Sequence, residues 1–401
     1  MNGKKYVIEE VGIRMKGYTT RSNFFNDILG IYNLVHFHIS FNQTFDDISQ
    51  YKTDRKIWKS EDERKKREKR TFATLEGMEL KWNSTADNTY LRNSYVNEVF
   101  RAYNIPVQQC HLTTVSLGGC RLGVYRLFDP VDERFIHRWF PQEDWGGDLY
   151  KIGGIETTAA TFLPITTYGI SQKNKGEYYN YDLKTNRDTS QHESLRHLLD
   201  VINRPDVTRE ELDSVADTQE LALFTAINFA MGNQDDMRSN YNNHFVYFRK
   251  SDGKAVFIPY DCEIVLGNLY SLNPPGNGLT ERSPYYSYHY RYKNDQENPL
   301  MRQVVLKNGY YTDQYTVWLR ELADSKWLEP QNFIDYYEPI AANYSQKTVA
   351  GYSFINTFSK NMEFSLDGGE GCNGNLSVSD FMIKMKQNIL NHTHDPEPMT
   401  D

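Results

Sequence analysis

The chain has 401 residues and a formal net charge of −8, enough for one large or two ordinary domains and without the global basic field of a non-specific nucleic-acid binder. No run approaches the roughly 18 apolar residues that span a bilayer, and the opening MNGKKYVIEEVGIRMKG lacks the apolar centre of a signal peptide. A soluble chain is therefore expected, in a compartment the sequence does not name. Aromatics make up 14% of the residues, including 29 Tyr, which favours half-buried strands over an all-helical bundle and leads to an α+β expectation.

Residues 5–17 alternate apolar and polar positions (Val7, Val11, Ile13, Met15), the period of a strand, and Gly17 with the Tyr-Thr-Thr after it makes a turn. NLVHFHISFN at 33–42 alternates again, and MELKWN at 78–83 is a third short run. Between them, YKTDRKIWKSEDERKKREKR at 51–70 carries ten basic and five acidic side chains. It reads as a solvated helical insertion held by i,i+4 pairs, or as a docking strip for an acidic partner. Residues 88–103 have helical spacing and stop at Asn-Ile-Pro. Two strand runs, 110–117 and 121–128, are joined by Gly118-Gly119 as a hairpin, and 131–140 reads as helix.

From about residue 192 the pattern turns helical: ESLRHLLDVIN, REELDSVADT, then ELALFTAINFAMG. That change puts a boundary in the polar stretch 171–192, giving residues 1–185 as a strand-rich first lobe and 186–401 as a helix-rich second lobe. Beyond Gly267 lies a long Tyr/Pro/Gly-rich loop whose tyrosines at 285–292 suit a substrate-covering segment. The remaining chain reads as a helical scaffold, interrupted by the turn-rich DGGEGCNGN at 367–375.

The segment from Gly232 to Gly267, GNQDDMRSNYNNHFVYFRKSDGKAVFIPYDCEIVLG, concentrates the chemistry. Asp235 and Asp236 follow an apolar helix, Asn240, Asn242 and Asn243 crowd the next positions, and Asp261 and Glu263 close a strand. A short hairpin that returns Asp261 beside Asn243 would supply hard oxygen ligands for Mg²⁺ carrying a nucleotide, leaving another Asp to face an acceptor hydroxyl. The plainer alternatives are a helix-ending Asp pair and Asn turn formers. Gly17 to Thr20, with Thr19 among them, could present backbone N–H groups to phosphates, with Arg14 and Lys16 adding charge, or be a plain turn. Lys151, a long cation in a strand context, is a candidate for phosphate contact or for ordinary pairing.

Other chemistries lack their motifs. There is no HExxH pair, no GxSxG elbow and no GxxxxGK[ST] loop, which argues against a histidine metal site, a serine hydrolase and a P-loop NTPase. The four cysteines, Cys110, Cys120, Cys262 and Cys372, have no zinc-site spacing. Free thiols are expected, with a Cys110–Cys120 bridge as the alternative.

Several blocks, in order, resemble the CotH kinases, the family related to the bacterial spore-coat protein H. GIRMKGYTT at 12–20 is similar to its Arg-x-Arg-Gly-x-Ser-Ser opening and HFHISF at 36–41 to its Phe-Lys-Ile-x-Phe strand. LKWNSTADNTYLRNSYVNEVFRAYNIPV at 80–107, GVYRLFDPVDERFIHRWF at 123–140 and GDLYKI at 147–152 are similar to later blocks, and GNQDD…NNHFVYF…IPYDCEIVLG to its most characteristic part. The resemblance implies a two-lobed atypical protein-kinase fold with a strand-rich N-lobe and helix-rich C-lobe, using ATP with Mg²⁺ or Mn²⁺ to phosphorylate Ser or Thr of a protein. It implies Asp235 or Asp236 as the catalytic acid, Asn242 or Asn243 beside the metal, and Asp261 as the metal-binding acid. Three positions depart from the pattern: His38 stands for a Lys, Asp129 for a Glu, and Glu263 for the second Asp of Asp-x-Asp. A neutral imidazole lacks the fixed charge that grips phosphate, so Arg14, Lys16 or Lys151 is expected to supply it. The alternatives are a catalytically impaired pseudokinase or nucleotide-binding adhesion module, or an enzyme transferring AMP.

Overall fold

A computed structural model describes residues 3–17, 25–26, 31–32, 34–42, 61–85, 87–153, 162–164, 180–238, 241–268, 278–285, 298–306, 308–347 and 376–393. Thr19, Asn240, Cys372, residues 51–60, the tyrosines at 286–292 and the 367–375 turn lie outside them. The first strands are β1 (Gly12–Lys16), β2 (Phe25–Asn26), β3 (Ile31–Tyr32) and β4 (His36–Ser40), followed by α1 (Glu61–Arg67) and β5 (Gly77–Lys81). Then come α2 (Arg92–Ala102), β6 (Cys110–Leu117), β7 (Cys120–Phe128), α3 (Glu133–Trp139), β8 (Leu149–Ile152) and β9 (Tyr181–Leu183). Next are α4 (Glu193–Ile202), α5 (Arg209–Val215), α6 (Thr218–Ala230), β10 (His244–Phe248) and β11 (Ala255–Pro259). The last helices are α7 (Pro299–Val305), α8 (Thr312–Asp324), α9 (Pro330–Tyr344) and α10 (Val378–Thr393). The architecture is α+β with antiparallel sheets.

The chain forms two compact units, each assembled from separated segments. The first comprises Met1–Ala86, Gln108–Arg138 and Tyr344–Thr357, and the second Asp87–Val107, Trp139–Asn343 and Phe358–Asp401.

The first unit is built on a five-stranded sheet in the order β1-β4-β5-β7-β6. Alternation decides its two faces, because successive side chains of a strand point oppositely. Phe37, Leu80 and Tyr125 join Leu34, Val35, Trp82 and Leu122 in an apolar core, with Ile39 and Leu127 packed against it. The other face carries Arg14, His38 and Glu79 in one cross-strand row, since Arg14 is opposite His38 and His38 opposite Glu79. The β6–β7 hairpin turns at Gly118-Gly119 as the sequence predicts. Cys110 sits opposite Phe128 and Cys120 opposite Leu117, about 20 Å apart along the strand, so the bridged alternative fails. The end of the charged segment is tied down: Arg67 pairs with Glu10, and the Arg70 guanidinium donates to the carbonyls of Phe41, Glu9 and Glu10 at 2.6, 2.8 and 3.0 Å.

The second unit combines helices with a four-stranded sheet in the order β11-β10-β8-β9. Helix α6 is apolar nearly all round and correspondingly buried from Leu221 to Ala230. The Asp217 side chain caps its start by accepting from the Glu220 N–H at 3.2 Å. A capping box between Thr208 and Glu211 opens α5. Strands β10 (HFVYF) and β11 (AVFIP) are buried at every position, which explains their continuous apolar runs. Among the described residues no helix is long and apolar enough to cross a membrane.

Candidate functional site

In the second unit, the end of α6 and the ends of the β10–β11 hairpin are fastened to each other. The Leu266 N–H donates to the Met231 carbonyl at 2.9 Å, and Gly232 follows at φ +70°. A Cβ at Gly232 would lie 2.4 Å from the Phe381 ring, so both backbone and space require glycine there. Asn233, buried, donates to the Asn228 side chain at 2.8 Å and accepts from the Asp235 N–H at 3.2 Å. This amide chain aims the Asp235 carboxylate.

Asp235 and Asp236, equivalent in the sequence, have different surroundings. Half-buried Asp235 accepts from the Asn243 amide at 2.7 Å and from the Asn242 amide at 3.5 Å. Asp236 is buried; its carboxylate accepts from the Arg238 N–H at 3.0 Å and its carbonyl from the Asn242 N–H at 3.2 Å. That is a turn-holding arrangement. Arg238 anchors the loop from behind, donating to the Pro284 carbonyl at 2.8 Å and the Tyr315 hydroxyl at 3.2 Å.

Asn243 accepts at its carbonyl from the Tyr260 N–H at 3.0 Å, which extends the hairpin ladder and sets Asp261 at the adjoining strand exit. Both Asn243 and Asp261 are left-handed, at φ +54° and +58°, a conformation that Asn and Asp tolerate better than other side chains. Glu263 follows, its N–H donating to the Asp261 carbonyl at 2.8 Å. Lys151 lies on β8 opposite Phe245, its ammonium 4.4 Å from the Tyr260 ring centre. The structure thus brings Asp235, Asn242 and Asn243 into contact, and sets Asp261, Glu263 and Lys151 around Tyr260 and the strand exit.

Two supports escaped the sequence reading. His244 is fully buried, bonds the Asn242 carbonyl through Nδ1 at 2.9 Å, and is pushed down to about 4 by burial, so it is neutral. Arg92 is buried as well: it pairs with Asp87 and donates through Nε to the Leu266 carbonyl at 3.1 Å. Only the Leu-Arg block of the resemblance pointed toward it.

The first unit holds a second constellation. Glu79 is buried on β5; Lys16 on β1 pairs with its Oε1, and His38 Nδ1 on β4 faces the same oxygen at 3.8 Å. Burial alone raises this carboxyl, but Lys16, His38 and Lys81 override it and hold it well below the usual carboxylate range. Arg14 is exposed on the same face, and Gly17 ends β1 at φ +107°. Asp129 pairs with Arg138 and accepts from the Gln109 N–H at 2.6 Å, while burial pushes its carboxyl up to about 6. Neither Glu79 nor Lys81 was singled out from the sequence, because their value lies in cross-strand register.

Among the described residues no three His, Cys, Asp or Glu side chains gather as a metal cluster. Magnesium beside a nucleotide needs only one or two carboxylates, the rest coming from phosphates and water, and Asp261, Glu263, Asn242 and Asn243 carry oxygen donors of the type it takes. No curated protein matches the chain. The family described as CotH kinase protein matches residues 46–365. That span includes the entire 232–267 site and Glu79, while Arg14, Lys16, Gly17 and His38 precede it. With most of its length matched, the chain belongs to the CotH kinase protein family.

Proposed function

We propose that this kinase-like chain is an ATP- and metal-dependent protein kinase that transfers the γ-phosphoryl group to Ser or Thr of a protein substrate. The observation that carries the reading is the Asp235 carboxylate, held by the amides of Asn242 and Asn243 beside the strand exit that bears Asp261. In this reading the strand-rich unit acts as an N-lobe and the helix-rich unit as a C-lobe. Asp235 orients the acceptor hydroxyl and takes its proton as the oxygen bonds to the γ-phosphorus and the bond to the ADP oxygen breaks. Asp236 keeps the loop in shape.

Asn243 donates an amide hydrogen to Asp235, and the oxygen of the same group, with Asp261, would hold Mg²⁺ or Mn²⁺. Asn242 and Glu263 would complete or orient that set. A cation held there would supply positive charge against the phosphates. Catalysis is then mainly positioning and electrostatics.

The test is incubation with γ-labelled ATP and Mg²⁺ or Mn²⁺, with and without a generic protein acceptor, comparing wild type with Asp261→Ala. Label in wild type, lost in the variant, is expected, with mass spectrometry finding phosphate on Ser or Thr. An added nucleotide would turn the reading to AMP transfer. Absence of any transfer would favour the pseudokinase, and an equally active Asp261→Ala would remove the metal assignment.

A further inference from the structure

Where the sheet of the second unit meets the loop site, one row of the ladder has no side chain at its centre. Tyr181 on β9 and His244 on β10 both lie opposite Ile152 on β8. The next row therefore runs through Asn180, Gly153 and Asn243, and the Gly153 N–H closes one side of it by donating to the Asn180 carbonyl at 3.2 Å. All three residues belong to the second unit. Asn243 is the residue whose amide holds the Asp235 carboxylate, so this row ends at the candidate site.

Glycine at 153 answers no demand of the backbone or of packing. Its φ is outside the left-handed region, and among the described residues the nearest atom to an added Cβ is Asn242 Oδ1, at an ordinary contact distance of 3.9 Å. At Gly147, just before the same strand, a Cβ would fall 1.7 Å from the Phe248 carbonyl oxygen. Across the gap from Asn243, Asn180 is buried and its side-chain oxygen accepts no hydrogen bond. Native proteins keep few such acceptors, because each forfeits its hydration without compensation. Alternation puts Gly153 on the face of β8 that carries Lys151, and Asn180 on the face that carries Asp182, which is opposite Lys151. The Lys151 ammonium, held over Tyr260, starts from a backbone position about 7 Å along the strand and disfavours a cation in the gap. A space of methyl size between two amide oxygens suits a small neutral donor, and a hydroxyl is the one that fits.

We propose that the Gly153 gap is a hydroxyl subsite of the loop site, in which Asn180 Oδ1 accepts a hydrogen bond from a sugar hydroxyl of the bound nucleotide. The inference rests on the kinase reading above. In that reading the acceptor Ser or Thr gives its one hydroxyl hydrogen to Asp235, which leaves the nucleotide sugar as the source of a free hydroxyl donor. Asn180 supplies the contact, and Gly153 supplies the room for it.

The test measures binding of ATP, 2′-deoxy-ATP and 3′-deoxy-ATP to the full chain in Mg²⁺, by displacement of a fluorescent ATP analogue, and follows label transfer in parallel. The chains compared are wild type, Asn180→Leu and Gly153→Ala, each with its denaturation midpoint. Wild type should bind one of the two deoxy analogues about three- to tenfold more weakly than ATP, the worth of one neutral hydrogen bond. Asn180→Leu should bind ATP more weakly by the same factor and no longer distinguish it from that analogue. Its midpoint should hold or rise, because the change removes an unpaired buried oxygen, whereas a structural role for Asn180 would lower it. Gly153→Ala should also hold or raise the midpoint while weakening ATP binding about ten- to a hundredfold, since the methyl group takes the place of the hydroxyl. Variants that bind ATP like wild type overturn the inference, as does a wild type that binds both deoxy analogues as tightly as ATP, or a midpoint that falls in both variants. In each of those cases wild type still binds ATP and transfers phosphate, and this inference falls alone. A wild type that binds no nucleotide and transfers no phosphate removes the kinase reading, and the inference with it.

Discussion

The two constellations are held by different physics. In the second unit the key carboxylate sits on irregular backbone, and neutral amides aim it: Asn233 fixes the Asp235 N–H while Asn242 and Asn243 fix its oxygens. In the first unit, Lys16, His38 and Glu79 stand on regular strands, placed by register and held by charge. A loop site needs its left-handed positions and buried amides to be kept rigid. A sheet site inherits its rigidity from the strands that carry it, as the row of Lys16, His38 and Glu79 on three neighbouring strands shows.

The largest expected stability effect lies behind the loop site. Replacing Arg92 with Leu leaves Asp87 a buried charge without its guanidinium and frees the Leu266 carbonyl, costing about 3–5 kcal/mol in denaturant unfolding. A loss under 1 kcal/mol would show that this ion pair is not a support of the loop site.

Acid should separate the two regions. His244 is held at about 4 against an ordinary 6.5, so its folded pKa is depressed. Its contribution is full above about pH 6.5 and is lost as pH falls toward 4, about 3 kcal/mol in all. His244→Phe should flatten that limb of a stability-versus-pH profile. Glu79 is also depressed, so its contribution is present above its ordinary pKa of 4.5 and fades only at lower pH. Glu79→Gln should therefore alter the profile below about pH 4.5 and leave the His244 limb in place. If both variants change the same pH range, the proposed distinction between the regions fails.

A smaller effect is expected at the loop's entrance. Gly232→Ala forces a side chain into a left-handed residue against the Phe381 ring and should cost about 2 kcal/mol, measured as a fall in the denaturation midpoint. The same change at Gly253, also left-handed but with nothing within 4 Å of the added carbon, should cost less.

Much of this was readable from local pattern. The alternation in HFHISF, the Gly118-Gly119 hairpin and the apolar α6 follow from periodicity and turn chemistry. So does the concentration of Asp and Asn between Gly232 and Gly267. Three things were not local. The interleaving of the two units depends on which segments pack together, and α2 belongs with the second unit although strands of the first flank it in sequence. The partnership of Lys16 with Glu79 depends on cross-strand register, which joins residues 63 positions apart. The difference between Asp235 and Asp236 depends on a turn in which one carboxylate meets Asn amides and its neighbour folds back onto the Arg238 N–H.

That last difference gives the most direct test of the account. Label transfer from γ-labelled ATP at saturating nucleotide should be measured for Asp235→Asn and Asp236→Asn side by side. The account predicts that Asp235→Asn folds normally and loses about 10²–10⁴-fold in kcat, while Asp236→Asn keeps most of its turnover and loses stability instead. Equal turnover in the two variants, or the reverse order, would contradict it.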